Sequence, residues 1–394
     1  MVVGLNAGGL GVVRSLKARG VSVIAVDDTI NKPEMATGAA TRKLRLPIRE
    51  SALVDGLLNL ARELPERPVL MVTQRLPLVM VSQHRERLRD AYRLVLPDHG
   101  TVVAMENKEH LITLAATVGV SAPRTLVLDT EEALNAARGL RYPLILKPSD
   151  NDLAYMERFD KTYIVRDHGC LEDLAHRIWP CYAKPVLQEW IEGGDDQLYF
   201  CLQYRNAEGR ARASFVGRKL LSWPPGKGAT AACAAATDHQ AEVEALTNRM
   251  FNAIGMRGFC SVEFKRDSVT GKFYMIEPTV GRTDQQEEVA MLNGINIPFA
   301  AYCDQIGAPV PPMTQTPESH TWSCLLEARW AKQQLRDEGH RPPCLRVGKG
   351  RVHDAHFRIR DPMPGMLNLL QIAPSPINRL METFGTVLGT RRAT

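Results

Sequence analysis

Gly258-Phe-Cys-Ser-Val-Glu263-Phe-Lys-Arg-Asp-Ser-Val-Thr-Gly271-Lys-Phe-Tyr-Met-Ile-Glu277-Pro-Thr-Val-Gly-Arg282 reads as two β-strands, Phe259 to Ser268 and Lys272 to Glu277. Val269-Thr270-Gly271 suits a three-residue hairpin loop whose last position is left-handed, a conformation glycine adopts without steric cost. In that register Ser268 pairs with Lys272, and Glu263 falls opposite Glu277. Their Cβ atoms would then stand about 4.5–5.5 Å apart on one face. Two carboxylates so close repel each other; a shared divalent cation reverses the sign, and hard oxygen donors suit Mg²⁺. Taken alone, the pair has a second reading: two solvated glutamates on a surface hairpin with a slipped register.

Outward from the hairpin the chain alternates. A short strand, Met1-Val-Val, runs into Gly4-Leu-Asn-Ala-Gly8-Gly9-Leu-Gly11 and a helix to Arg19, and is short enough at its front to suggest residues preceding Met1. Gly20 stops that helix, and a buried strand from Val21 to Val26 ends at Asp27-Asp28. This β-loop-α-β unit with a glycine-rich turn starts a doubly wound parallel sheet. A helix near Leu53 to Glu63, a strand Val69 to Thr73, a helix from about Leu78 to Ala91 and a strand Arg93 to Leu96 continue the pattern. Beyond it, a helix opens at Asn107-Lys108. Strands follow at Arg124 to Leu128, Leu144 to Pro148, Val186 to Ile191, Gln197 to Tyr204 and Ala211 to Arg218, with a helix at Cys170 to Ile178. The loop Ser222 to Thr230 is rich in Pro and Gly, and a helix from Gln240 to Ile254 leads into the hairpin.

The 394 residues call for two or three domains. With 44% hydrophobic and 24% charged residues the composition is that of an ordinary globular protein, and a net charge of +5 fits a small anionic ligand as well as a nucleic acid. The eight cysteines show no C-x-x-C spacing, against a disulfide framework or zinc cluster and for a cytoplasmic setting. No run approaches 18 apolar residues, so no membrane span is expected.

Several residues invite chemistry. The first turn lacks the strict G-x-G-x-x-G spacing, since Arg14 stands where the third glycine belongs, although Asp27 ends the second strand as a ribose-binding acid would. An NAD-dependent oxidoreductase rests on that turn alone; a structural turn or an anion at the helix N-terminus explains it equally. Lys147 ends a buried strand, where an ammonium can clamp a phosphate; Lys108 is a second candidate. Gln188-Glu189-Trp190-Ile191 leads into an acidic turn and can present backbone groups and an amide to an adenine edge, with Asp196 reaching a ribose hydroxyl. Trp223-Pro-Pro-Gly226-Lys227-Gly228 has no Ser or Thr after the lysine, which rejects a P-loop. His353-x-x-His356 is read as structural.

In this order the features resemble the ATP-grasp family, and within it the carboxylate–amine ligases. The resemblance spans roughly residues 1–310, on Leu146-Lys147-Pro148, Gln188 to Asp196, Arg218-Lys219-Leu220, and Val262-Glu263-Phe264 through Glu277-Pro-Thr279-Val-Gly-Arg282. It implies an α/β fold: a Rossmann-like domain at 1–106, a two-lobed ATP-grasp domain of α+β character at 107–310, and an extension at 311–394. By resemblance Lys108 and Lys147 contact ATP phosphates; Gln188, Glu189 and Ile191 hold adenine; Asp196 holds the ribose. Glu263, Glu277 and Thr279 ligate magnesium, and Arg282 steadies the transferred phosphoryl group, with Arg218 and Lys219 gripping the substrate from a strand facing the cleft. The family's glycine-rich loop is replaced by 149–161, where Lys161 can supply charge to the γ-phosphate, and Thr279 stands where asparagine is usual. The function implied is ATP-dependent joining of a small carboxylate to a small amine, without nucleic acid and as a homodimer if it assembles. A nucleotide-binding protein without ligase activity is the alternative.

Overall fold

In the computed structural model, residues 1–149, 153–160 and 162–372 are described, and they build three sheets. The first contains β1 (Val2–Val3), β2 (Ile24–Asp27), β3 (Arg42–Arg45), β4 (Val69–Val72) and β5 (Arg93–Leu94), all parallel, in the order β3-β2-β1-β4-β5. That is the doubly wound order. β3 was not foreseen: Arg42-Lys-Leu-Arg45 carries no apolar run, and as an edge strand it needs none.

The glycines of the first turn serve packing. The helix Ala7–Lys17 is capped by Asn6, whose Oδ1 accepts the Gly9 N–H at 2.9 Å. A Cβ on Gly9 would stand 2.1 Å from the Gly4 carbonyl oxygen, and one on Gly11 would stand 2.7 Å from Glu288 Cβ. The helix thus closes at backbone distance on the segment following the opening hairpin. Asp27 is buried, its carboxylate taking the Leu5 N–H at 2.7 Å and the Lys32 ammonium at 2.5 Å. A carboxylate so engaged is not presented to a ribose, which removes the support for the dinucleotide reading.

A small antiparallel sheet follows, with β6 (Thr125–Val127), β7 (Leu144–Pro148), β8 (Tyr163–Val165) and β9 (Pro185–Glu189) in the order β6-β9-β7-β8. Leu144, Leu146 and Leu187 turn inward onto the helix His168–Ile178 through Leu171, Leu174 and Ile178.

The third sheet is the largest. β10 (Leu198–Arg205), β11 (Ala211–Trp223), β12 (Ala229–Ala235), β13 (Gly258–Arg266), β14 (Phe273–Val280), β15 (Thr321–Ser323) and β16 (Val352–Asp354) run in the order β14-β13-β10-β11-β12-β15-β16. Alternation divides its residues between two cores. Tyr199, Cys201, Val262 and Phe264 pack with Val243, Met250 and Phe251 of the helix Gln240–Ala253. Phe200, Leu202, Phe215 and Trp322 join the opposite core, shared with Val12, Val13 and Leu16 of the first helix and with Ile297 and Ala300. The Ala-rich β12 has little intrinsic strand preference, yet small side chains are what a strand covered on both faces accommodates; burial overrides propensity there. The described part of the segment beyond 310 is built onto this sheet as β15 and β16.

Candidate active site

Glu263 does pair with Glu277, though not by the expected path. The strands end at Arg266 and Phe273, and Asp267 closes the turn by accepting the N–H groups of Val269 and Thr270 at 2.8 and 3.0 Å. That shifts the register by one, and a bulge between Glu263 and Phe264 shifts it back. Two deviations cancel, and the carboxylates meet. Pro278 is tolerated because β14 is the sheet's edge. Ser261 pairs with Thr279 two residues along, so Ser261, Glu263, Glu277 and Thr279 share a face.

Lys219 reaches the same face from β11. Its Nζ lies 3.0 Å from both Glu263 oxygens, and the side chain is only 6% exposed. Burial opposes its charge, but Glu263, with Asp195 and Asp284 beyond, holds the ammonium above its ordinary pKa. Burial pushes the Glu263 carboxyl up; Lys219 opposes this, and Asp284 and Glu277 add to it. The buried Asp284 accepts a hydrogen bond from Ser261 Oγ at 2.5 Å. Sequence reasoning missed Asp284; its signal was the acid-rich Asp284-Gln-Gln-Glu-Glu288 after Arg282.

Arg218 requires a correction. Successive strand residues point to opposite faces, so Arg218 and Lys219 cannot both grip one substrate. Arg218 pairs across the strands with Tyr199, lies 5.4 Å over its ring, donates to the Asp196 carbonyl and carboxylate, the latter at 3.2 Å, and stands 3.8 Å from Asp238. Asp196 is therefore ion-paired with Arg218, on the side away from Glu263.

Lys265, two residues after Glu263, was also missed. It is buried and donates to the carbonyls of Gly193 and Gly194 at 2.7 and 2.6 Å, tying the turn after β9 to the large sheet. Burial brings its pKa down to about 8, against the opposing pull of Asp195 and Asp196. Asp195 anchors the Pro/Gly-rich loop, accepting the Ser222 and Gly226 N–H groups at 2.7 and 3.0 Å.

On the small sheet, Lys147 and Gln188 meet: Lys147 Nζ donates to Gln188 Oε1 at 2.6 Å, and Gln188 Nε2 donates to Thr125 Oγ1 at 3.1 Å. Lys108 donates to the Pro148 carbonyl, bringing both lysines to the end of β7. Glu189 Oε2 accepts the Arg124 N–H at 3.4 Å, and Ile191 is buried. Arg282 is half-buried beyond β14, with Nη1 donating to the Thr283 carbonyl at 3.3 Å. Lys161 lies outside the described residues. No helix among the described residues is long and apolar enough to cross a membrane.

The face carrying Glu263 and Glu277 fits Mg²⁺ by donor chemistry. Among the described residues no cluster of three or more His, Cys, Asp or Glu forms a cage. Magnesium that arrives with a nucleotide needs only one or two carboxylates, the rest being phosphate oxygens and water.

No known protein-family pattern matches the sequence, and no curated protein matches it. Solved structures do. N5-carboxyaminoimidazole synthetase from Staphylococcus aureus superposes with a TM-score of 0.63 at 14% identity, over 86% of this chain and 84% of that one, and has been solved with ADP. The biotin carboxylase domain of Hydrogenobacter thermophilus 2-oxoglutarate carboxylase, in complex with MgADP, ADP and bicarbonate, gives a TM-score of 0.63 at 16% identity over 81% of this chain and 73% of that one. L-amino acid ligase from Bacillus licheniformis gives 0.58 at 17% identity, over 77% and 73%. These are ATP-grasp enzymes, and the likeness is one of architecture: the chain has the mixed α/β ATP-grasp fold.

Proposed function

We propose that the protein is an ATP-dependent carboxylate–amine ligase, with Mg-ATP held between the small sheet and the large one. The observation that carries this is the cross-strand facing of the half-buried Glu263 and the solvent-exposed Glu277 at the sheet's edge, with the buried Lys219 ion-paired to Glu263. Carboxylates on directly opposed strand residues repel, though water at the exposed Glu277 screens the repulsion. A fold that retains such a pair beside a third acid, Asp284, has a site suited to an incoming cation.

In this reading Lys108 and Lys147 neutralise ATP phosphates from the end of β7, and Gln188, Glu189 and Ile191 border the adenine. Asp196 would reach the ribose only by releasing Arg218. Glu263 and Glu277, with the Thr279 hydroxyl, would hold Mg²⁺, which when bound offsets charge on the phosphates. Arg282 and Lys219 stabilise the transferred group. A substrate carboxylate oxygen attacks the γ-phosphorus, the bond to the β-phosphate oxygen breaks, and ADP leaves with that electron pair. The amine then attacks the acyl carbon, an amide forms, and phosphate departs with the former carboxylate oxygen while the amine loses a proton. Phosphoryl transfer asks the protein for position and charge rather than a covalent residue.

Glu277→Gln should lower Mg-dependent ATP turnover by about 100-fold or more while leaving the circular dichroism spectrum unchanged. Undiminished turnover would remove Glu277 from the site. The Lys219–Glu263 pair also favours a second reading, a nucleotide-binding protein whose metal-binding carboxylate is closed by its own lysine. Calorimetry with Mg-ATP beside ADP release on pools of carboxylates and amines separates them: binding without substrate-stimulated ADP selects the second.

A further inference from the structure

A second constellation stands at the far edge of the large sheet, which phosphoryl transfer does not use. There a cavity of about 350 Å³ is lined by Leu292, Glu318, His320, Lys349, Arg351 and His353. Among the described residues neither the Lys349 nor the Arg351 side chain has an ion pair. The two imidazoles meet edge to face at 5.3 Å.

The wall is held by the fold. Arg351 N–H donates to His320 Nδ1 at 3.2 Å, so the neutral ring carries its proton on Nε2. The wholly buried Asn293 brackets His320, accepting its N–H at 2.8 Å and donating to its carbonyl at 2.9 Å. Thr321 N–H donates to the Arg351 carbonyl at 2.9 Å. A Cβ on Gly350 would stand 1.9 Å from the Ser319 carbonyl oxygen, so the basic loop passes the segment leading into β15 at a distance only glycine permits. A site ordered in advance in this way spares its ligand the cost of ordering it.

The cavity is separate from the nucleotide cleft. Lys219, Cys233, Trp322 and His353 form one row across β11, β12, β15 and β16, three strand spacings or about 14 Å. The buried Cys233 and Trp322 fill the interval. Burial, together with the charges of Arg358, His320 and Arg351, brings the His353 imidazole down to about 4, as expected where positive potential exceeds negative. Glu318 is the one carboxylate on the wall.

We propose that this cavity binds a phosphate group, free or carried by a small molecule. The guanidinium fork of Arg351, the ammonium of Lys349 and imidazole N–H donors suit a multiply charged oxyanion. The volume suits a small ligand and not a polymer. Glu318 can accept a hydrogen bond from a hydroxyl on an esterified ligand. Leu292 ends the helix Glu288–Leu292, which continues from the Asp284 segment, so an occupant would touch the element that leads to the candidate active site.

The test uses the full chain saturated with ADP, titrated with orthophosphate and with glycerol phosphate, by calorimetry and by the imidazole proton resonances. Saturable binding, with shifts of two imidazoles, should weaken at least tenfold in the Lys349→Ala/Arg351→Ala double variant while ADP affinity and melting temperature stay unchanged. Tighter binding of orthophosphate identifies the free anion, and tighter binding of the ester identifies an organic phosphate. Absence of heat and of imidazole shifts up to about 10 mM, or equal binding by the double variant, overturns the assignment. If ADP fails to bind, the ligase reading is in question; the imidazole resonances in ADP-free protein still read this cavity.

Discussion

Replacing Glu287 by glutamine should stabilise the protein in mildly alkaline solution and leave it nearly unchanged in acid. Glu287 is 3% exposed, and its Oε1 has no hydrogen-bond partner among the described residues. Burial, then the neighbouring charge of Asp284, push its carboxyl from 4.5 up to about 8. In the unfolded chain this group ionises near 4.5; in the fold it keeps its proton until about 8. Between those values the folded protein binds more protons than the unfolded one, so stability falls as pH rises. At about 1.4 kcal/mol per tenfold change in proton affinity, the full span is worth up to about 5 kcal/mol. Glutamine has the same shape and never ionises, so it escapes that loss, less about 1–3 kcal/mol if its extra N–H groups find no partner. Urea denaturation of both proteins near pH 5, 6.5 and 8 isolates the effect, because other titrating groups cancel in the difference. The variant's relative stability should climb steadily from acid to alkali by several kcal/mol. Parallel stability curves across that range would refute a neutral buried Glu287.

Three further outcomes follow from packing. Asp361 accepts hydrogen bonds from Arg14 Nε at 2.9 Å, Thr37 Oγ1 at 2.6 Å and Gly38 N–H at 2.8 Å. Asp361→Ala should therefore cost about 3–5 kcal/mol in thermal unfolding, by leaving the buried Arg14 short of its counter-charge. Gly9→Ala should fail to accumulate as folded protein, since its Cβ would meet the backbone oxygen of Gly4, whereas Gly139→Ala, with nothing within 4 Å, should express normally. Asp195→Ala should release the loop it anchors and speed tryptic cleavage after Lys227 by about tenfold, with uncut variant on the wild-type time course counting against the anchor.

What the sequence disclosed and what it hid differ in physical kind. The parallel sheet was legible because strands and helices covered on one side leave periodic apolar runs, and the carboxylate pair was legible because one hairpin brings both acids together. Even there the agreement depended on compensation: the turn is closed by Asp267 and the bulge restores the pairing, and neither leaves a mark in residue spacing. β3 and β12 were missed because one is charged and the other alanine-rich, their strand character being set by neighbours rather than by their own residues. The division of Arg218 from Lys219 was open to the simplest rule of strand alternation, and follows from it once β11 is seen to run through both.

The partners of the site were hidden for another reason: they come from distant points of the chain. Lys219 meets Glu263 across the intervening β10, and Asp284 reaches Ser261 only after the chain has turned back beyond β14. Their meeting recasts the hairpin. Its two glutamates, the half-buried Glu263 and the exposed Glu277, stand with the buried Asp284 near a single lysine, and the proton affinity of Glu263 is raised by burial and by both other acids. One ammonium cannot neutralise three carboxylates. On the ligase reading, Glu263 and Glu277 would hold a divalent ion that would offset this negative charge, and Lys219 would be available to the transferred phosphoryl group. Lys219 would thus be, on the ligase reading, both the counter-charge of Glu263 and a cation for the transferred group.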